Sequence, residues 1–308
     1  MRADEASATA RLIAAATVLC ARDAADAGLV APGAADWCEA FLSASRGGRW
    51  LRASCRPAAG RAAWRLLERA THPGIVRHWM LRKRWIESRV RAALAGGASQ
   101  VVVLGAGFDT LGVRLAAERP DVRVVEVDHP ATLAVKRPVV ESRLEPGRAR
   151  PVMAEADFSR GGDGRATLPP GAVERGRATV FLAEGLLMYL PEPAVRSLLA
   201  ELAAAAVSGS RLVFSFMVER EDGEIGFEPR SALVSRWLAA KDERLRWSLN
   251  PARAPAFARE LGWTVTGHAD SAVLAALAGS AGGNRVVARG EDVIEAVARG
   301  PSGTPAAV

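Results

Sequence analysis

Lysine is nearly missing from this 308-residue chain: of 41 basic residues only Lys83, Lys136 and Lys241 are lysine, and the other 38 are arginine. The arginines are scattered among 34 acids along the whole length rather than gathered in a stripe, so the net charge of +7 argues against a nucleic-acid partner. Cysteine is scarce as well. Cys20, Cys38 and Cys55 are odd in number, lack CxxC spacing and lie far from other candidate ligands, which argues against a disulfide framework and a zinc site. No apolar run reaches membrane-spanning length, and the stretch at 12–21 follows Asp4 and Glu5 without a convincing cleavage site. The expectation is a cytoplasmic chain with no membrane partner. A GxSxG elbow is also missing, and His78, His129 and His268 stand at no triad spacing, which counts against a hydrolase. What is present is 49% hydrophobic and 24% charged residues, enough for one large domain or one and a half.

Residues 1–95 carry helical patterning alone, in segments around 8–23, 34–45, 60–70 and 76–95, broken by Pro32, Gly47-Gly48, Pro57 and Pro73-Gly74. From residue 100 the pattern changes. Val101-Val102-Val103-Leu104 is a short apolar run of the kind buried on both faces in a parallel sheet, and similar runs follow at 122–127, 149–153, 178–183, 211–216, 263–268 and 284–289. Helical segments at 111–118, 131–143 and 193–207 alternate with the earlier strands, which predicts a doubly wound α/β sheet. Further helical stretches lie at 231–241 and 251–261. The organisation read from this is a helical cover over 1–95, a core over 96–300 with a helical substrate-cover segment at about 226–260, and a frayed tail over 301–308.

The first strand runs directly into Gly105-Ala106-Gly107-Phe108-Asp109-Thr110, where glycines let backbone approach a ligand at the strand's carboxyl end. A dinucleotide fingerprint requires a third glycine where this chain has Thr110, which counts against NAD or FAD. Asp109 points the same way, because a carboxylate repels a pyrophosphate and welcomes a cationic ligand. S-adenosylmethionine has an ammonium, a sulfonium and no phosphate. Glu126 and Asp128 end the second strand, at the spacing where an acid takes the two ribose hydroxyls, and either residue fits that role.

These blocks resemble the leucine carboxyl methyltransferase family of S-adenosylmethionine-dependent O-methyltransferases. The resemblance is carried by residues 101–110 (VVVLGAGFDT), 125–130 (VEVDHP), Lys136-Arg137 and 183–191 (AEGLLMYLP), in the family's order. Upstream, residues 73–76 (PGIV) and 81–87 (LRKRWIE) are similar to its bacterial branch, which includes tetracenomycin-type polyketide O-methyltransferases. The resemblance implies a Rossmann-like class I methyltransferase fold: a seven-stranded, mostly parallel sheet of order 3-2-1-4-5-7-6, its last strand antiparallel, beneath an N-terminal helical cover. Position by position it implies that Arg82 binds the cofactor's carboxylate, as a guanidinium fork can. It also implies that Gly105 and Gly107 underlie the methionine portion and that Asp128 takes the ribose. Asp157 and Phe158 meet the adenine, and Glu184 lies near the amino-acid end. Asp109 and Thr110 are family positions too, although Asp109 is equally suited to capping the next helix. Tyr189, the only tyrosine, falls in the same motif as Glu184 and is a candidate active-site group.

The substrate half is less determined. Arg230, Arg236, Arg244, Arg246, Trp237 and Trp247 form a set suited to an aromatic carboxylate, with guanidiniums for the acid and indoles for the ring. Arg230, Trp237, Arg246 and Trp247 are the substrate candidates. The resulting expectation is methyl transfer to an oxygen, a carboxylate first, of a small anionic, aromatic or polyketide-like metabolite, by a monomer or homodimer that uses no metal. A carboxylate with pKa near 4 is already ionised at pH 7 and needs no base, whereas a phenol needs one, for which His78 is the candidate. The alternatives are methylation of a protein C-terminal carboxylate, or a module that binds the cofactor without chemistry.

Overall fold

Val101, Val102, Val103 and Leu104 are each almost wholly withdrawn from water, which is possible only if both faces of their strand are covered. The computed structural model, which describes residues 5–158, 166–220, 222–279 and 285–299, shows how. Five helices precede the strand: α1 (Ala8–Ala21), α2 (Ala34–Ser43), α3 (Arg46–Cys55), α4 (Ala58–Thr71) and α5 (Ile75–Ala95). Then come β1 (Gln100–Leu104), α6 (Leu111–Glu118), β2 (Arg123–Asp128), α7 (Pro130–Arg143), β3 (Val152–Glu155) and β4 (Thr179–Ala183). The remainder is α8 (Glu192–Ala205), β5 (Arg211–Val218), α9 (Ala232–Ala240), β6 (Ser248–Leu249), α10 (Ala254–Glu260), β7 (Trp263–Ala269), α11 (Ser271–Ala276) and β8 (Glu291–Ala298).

The sheet order is β3-β2-β1-β4-β5-β8-β7, with the two-residue β6 attached beside β5. The first five strands are parallel, and β8 runs antiparallel to both β5 and β7. Setting β6 aside, this is the expected 3-2-1-4-5-7-6 order. One face of the sheet packs Val102, Leu104, Phe181 and Phe214 against Leu198 and Leu202 of α8 and Phe257 of α10. The other packs Val101, Val103 and Leu182 against Leu81, Trp85, Ile86 and Val90 of α5 and Leu111 and Leu115 of α6. Each such aliphatic or aromatic side chain contributes about 1.5–3 kcal/mol on burial. The 21-residue α5 therefore shares one apolar cluster with the sheet, although the expected boundary near residue 95 grouped it with the cover. No helix among the described residues is long and apolar enough to cross a membrane.

Two local expectations are corrected. Gly47-Gly48 was expected to break a helix and instead lies inside α3, where a Cβ on Gly48 would come within 2.2 Å of the Leu42 carbonyl oxygen. Glycine there permits the close approach of two helices. Residues 285–289, expected as the last strand, are irregular: the Ala288 amide donates to the Gly74 carbonyl at 3.3 Å, and Arg289 makes an isolated bridge to Glu228. The strand is β8, whose acids disguised it, since Glu291, Asp292 and Glu295 are all buried and each is matched by a basic partner. Those partners are Arg82, His268 at 2.8 Å and Arg211 at 2.7 Å. The tail at 301–308 lies outside the described residues.

Candidate active site

The carboxyl ends of β1, β2 and β4 open into a cavity of about 740 Å³, the position that open α/β sheets reserve for ligands. Its floor is the glycine loop. Gly105 and Gly107 have φ of 64° and 47°, and a Cβ on Gly105 would meet the Leu186 side chain at 2.9 Å. Asp128, at the end of β2, accepts hydrogen bonds from the Gly107 amide and, at 2.5 Å, from the His129 amide. Burial pushes its carboxyl above the ordinary range, offset only in part by those two amides. Ala156, Asp157 and Phe158 continue the wall beyond β3, with His129 3.5 Å from Asp157.

A cluster of charge closes the other end. Arg82 gives Nη2 to Glu184 at 2.7 Å and Nη1 to both oxygens of Glu291 at 2.6 Å. Lys83 reaches Asp109 at 2.6 Å and Glu184 at 3.1 Å. Burial alone would raise Glu291, but the Arg82 charge and the bond from His78 outweigh it and hold the carboxyl at about 2. Burial likewise opposes ionisation of Asp109, and the Lys83 ammonium overcomes it, so Asp109 stays well below the usual carboxylate range. These five side chains hold two positive and three negative charges. Asp109 also accepts from the Leu111 amide at the start of α6 at 3.1 Å, and Thr110, the N-cap, lies buried beside it.

The roof comes from two distant parts of the chain. α1 contributes Thr9, Ala10 and Ile13, and the segment Asp242, Glu243, Arg244 and Arg246 joins beside Tyr189, where the Arg246 amide donates to the Met188 carbonyl at 2.7 Å. Cys38 also lines the cavity, but burial pushes its thiol up to about 12, so it stays protonated. Among the described residues no group of His, Cys, Asp and Glu could hold a metal ion.

Of the residues singled out in the sequence, the structure brings Arg82, Gly105, Gly107, Asp109, Thr110, Asp128, Asp157, Phe158, Glu184, Tyr189 and Arg246 to this one cavity. Others lie elsewhere. Glu126 is two residues deeper than Asp128 on the same strand face, fully buried, with its carboxylate 2.7 Å from Lys136; Gly112 leaves it room beneath α6. It does not line the cavity, whereas Asp128 does. His78 is one helical turn before Arg82, wholly buried, and spends Nε2 on Glu291 at 3.0 Å behind the cavity wall, which corrects its reading as a base. Trp247 packs in the core against Phe257, Arg230 is exposed and paired with Glu224, and Trp237 is not at the cavity. Arg82 itself is only 3% exposed at its side chain and is engaged by two protein carboxylates, so it does not offer a free fork; Lys83, 24% exposed, is the more accessible cation.

Sequence reasoning passed over Lys83, Glu243, Thr9 and Glu291. A signal existed for the first: in a chain with three lysines, Lys83 stands at the cavity, and Lys136 braces it by donating to the Asp109 carbonyl at 2.8 Å.

Comparison with known proteins agrees with this layout. The leucine carboxyl methyltransferase profile matches residues 12–203, more than half of the chain. The chain belongs to this family. A relative from Streptomyces avermitilis, named as a candidate S-adenosyl-L-methionine-dependent methyltransferase, is 33% identical over 174 residues, or 54% of this chain and 59% of the relative. One from Frankia alni with the same description is 30% identical over 169 residues, covering 53% and 57%. The chain thus spans less than two thirds of these curated relatives. A solved structure of a DUF574 family protein from Streptomyces avermitilis superposes with a TM-score of 0.55 at 17% identity, covering 97% of this chain and 99% of that one, and so shares its fold. That fold is the Rossmann-like α/β arrangement of class I methyltransferases.

Proposed function

We propose that this member of the family is an S-adenosylmethionine-dependent O-methyltransferase acting on a small anionic acceptor, a carboxylate in the first instance. The observation that carries the reading is the charge balance at the cavity's closed end, where Arg82 and Lys83 face Asp109, Glu184 and Glu291 and leave one carboxylate over. The surplus carboxylate suits a ligand's α-ammonium, and Lys83 suits the neighbouring α-carboxylate. Asp128, with two backbone amides fixing its oxygens, keeps lone pairs for the two ribose hydroxyls. Asp157 and Phe158 suit an exocyclic amine and a flat base. A pyrophosphate would meet Asp109 and the surplus carboxylate instead, which disfavours a dinucleotide.

When bound, the cofactor supplies a cationic methyl group for in-line displacement by the acceptor oxygen. The chain's contribution is alignment, which is worth about 7–11 kcal/mol in favourable cases. Arg244 and Arg246, exposed on the roof, suit a remote anionic group of the acceptor better than the reacting oxygen, because binding that oxygen tightly would slow its attack. A carboxylate acceptor is already ionised at neutral pH and needs no base. The test is to supply methyl-labelled cofactor with a panel of aromatic acids and phenols and to locate the label by mass spectrometry and NMR. Label on a carboxyl oxygen supports the reading; label only on nitrogen, on carbon or on a protein terminus overturns it.

A further inference from the structure

α4 turns its apolar side outward. None of its 14 residues is buried, and its exposed side carries Ala59, Ala62, Ala63, Leu66, Leu67 and Ala70, with Leu66 68% and Leu67 43% exposed. Arg61, Arg65, Glu68 and Thr71 are half-buried instead. Arg65 pairs with Asp23 at 2.7 Å, Glu68 accepts from the Val76 amide at 3.1 Å, and Trp64 Nε1 donates to the Ser54 hydroxyl oxygen of α3 at 2.8 Å. A Cβ on Gly60 would run into the Ser54 carbonyl, so α3 and α4 touch there and the orientation of α4 is fixed. A helix at a protein surface ordinarily lays its apolar stripe on the core. Here a stripe with the same spacing faces away from it.

The charge around this stripe has one sign. Residues 46–71 hold seven arginines and a single acid, Glu68, which is engaged by the Val76 amide. Arg46, Arg49 and Trp50 are exposed on α3, and Arg69 is exposed near the end of α4. Two features choose the occupant of such a surface. The stripe is one helix wide and about 21 Å long and so offers on the order of 400 Å², about half of what each partner gives to a stable protein complex. A second copy would also bring the same arginine-rich face against it, and like charges oppose that pairing. We propose that α3 and α4 form a docking surface for an anionic lipid bilayer, with Leu66 and Leu67 entering the boundary between headgroups and acyl chains and the arginines held at the headgroups. Shallow insertion of this kind needs little apolar area, because each arginine near the surface adds about fivefold to the affinity. It departs from the expectation of no membrane partner, which rests on the lack of a spanning run; a helix lying on a surface needs none.

Flotation of the purified full chain with phosphatidylcholine vesicles, made with and without phosphatidylglycerol, tests the surface, and thermal melts confirm that each variant folds. The wild type should float with the phosphatidylglycerol vesicles, stay behind with phosphatidylcholine alone, and be released as salt is raised. Arg46→Gln with Arg49→Gln should lower partitioning by about tenfold or more, and Leu66→Ser with Leu67→Ser by about tenfold. All four positions are exposed, so these variants should fold. Arg253→Gln with Arg259→Gln, which removes the same charge from exposed positions at α10, should leave partitioning unchanged. The assay contains no nucleoside, so its outcome does not depend on the cofactor reading. No flotation of the wild type, an equal loss in the α10 pair, or full binding by the leucine pair would overturn the proposal. So would a dimer in sedimentation velocity that the leucine substitutions dissolve, because the stripe would then belong to a second copy.

Discussion

Arg82 and Glu291 lie 209 positions apart and meet where α5 crosses β8, with Nη1 of the arginine 2.6 Å from both carboxylate oxygens and both side chains almost entirely out of water. A buried pair of this kind costs more to break than it contributes when intact, because removing one partner strands the other charge. Glu291→Gln should therefore lower unfolding free energy by about 3–5 kcal/mol in a denaturant titration. The acid dependence follows from the held-down carboxyl. Glu291 sits at about 2 in the fold against an ordinary 4.5, so its contribution is complete above pH 4.5 and is lost as pH falls towards 2. The variant should have a shallower stability loss across that window than the wild type.

Lys136 and Glu126 offer a second buried pair, at 2.7 Å, with Lys136 5.6 Å above the Phe41 ring. Lys136→Met should be destabilising by about 3–5 kcal/mol, since Glu126 is then buried without a partner. The double variant Lys136→Met with Glu126→Gln should recover part of that loss. Thermal unfolding of the four species tests this, and no recovery in the double variant would show that the lysine acts chiefly through its bond to the Asp109 carbonyl.

Lys83 is expected to hold the cofactor's carboxylate while Arg82 holds the wall. Lys83→Met should weaken S-adenosylhomocysteine binding by about 1–2 kcal/mol and leave 5′-methylthioadenosine, which lacks the amino-acid portion, unaffected. Arg82→Lys should cost stability first, because a point charge cannot reach Glu184 and Glu291 together as the planar fork does. Equal losses for both nucleosides in Lys83→Met would remove the carboxylate role.

The acceptor's own chemistry gives a pH profile. A carboxylate acceptor with pKa near 4 should give a transfer rate that rises on ionisation and is flat from about pH 6 upwards. A rate that keeps climbing at alkaline pH would indicate a phenol and a need for a base.

How much of this was readable beforehand depended on whether the signal was local. Val101–Leu104 and the glycines after it announce a strand and a close-approach loop within ten residues, and the parallel half of the sheet followed from repeats of that pattern. β8 did not, because its acids are compensated by Arg82, His268 and Arg211 from three distant elements, and no window of sequence contains those partners. The same reason hid Glu243, whose carboxylate accepts from the Ala8 and Thr9 amides only where α1 meets residues 242–246. Glu126 and Asp128 are indistinguishable by spacing. Depth decides between them: one lies under α6 at Gly112, and the other ends β2 at the cavity.

Asp128 is the residue on which the account turns. Calorimetric titration of the purified chain with S-adenosylmethionine, S-adenosylhomocysteine, NAD and ATP, repeated on Asp128→Ala, tests it most directly. The account predicts saturable binding of the two S-adenosyl compounds alone, weakened by about 1–3 kcal/mol in a variant that still folds. It also predicts weakening of wild-type binding on acidification already above the ordinary carboxylate range, since burial raises Asp128 and its protonated form loses acceptor capacity. Preferential binding of NAD or ATP, or an Asp128→Ala variant that binds S-adenosylmethionine as tightly as the wild type, would contradict it.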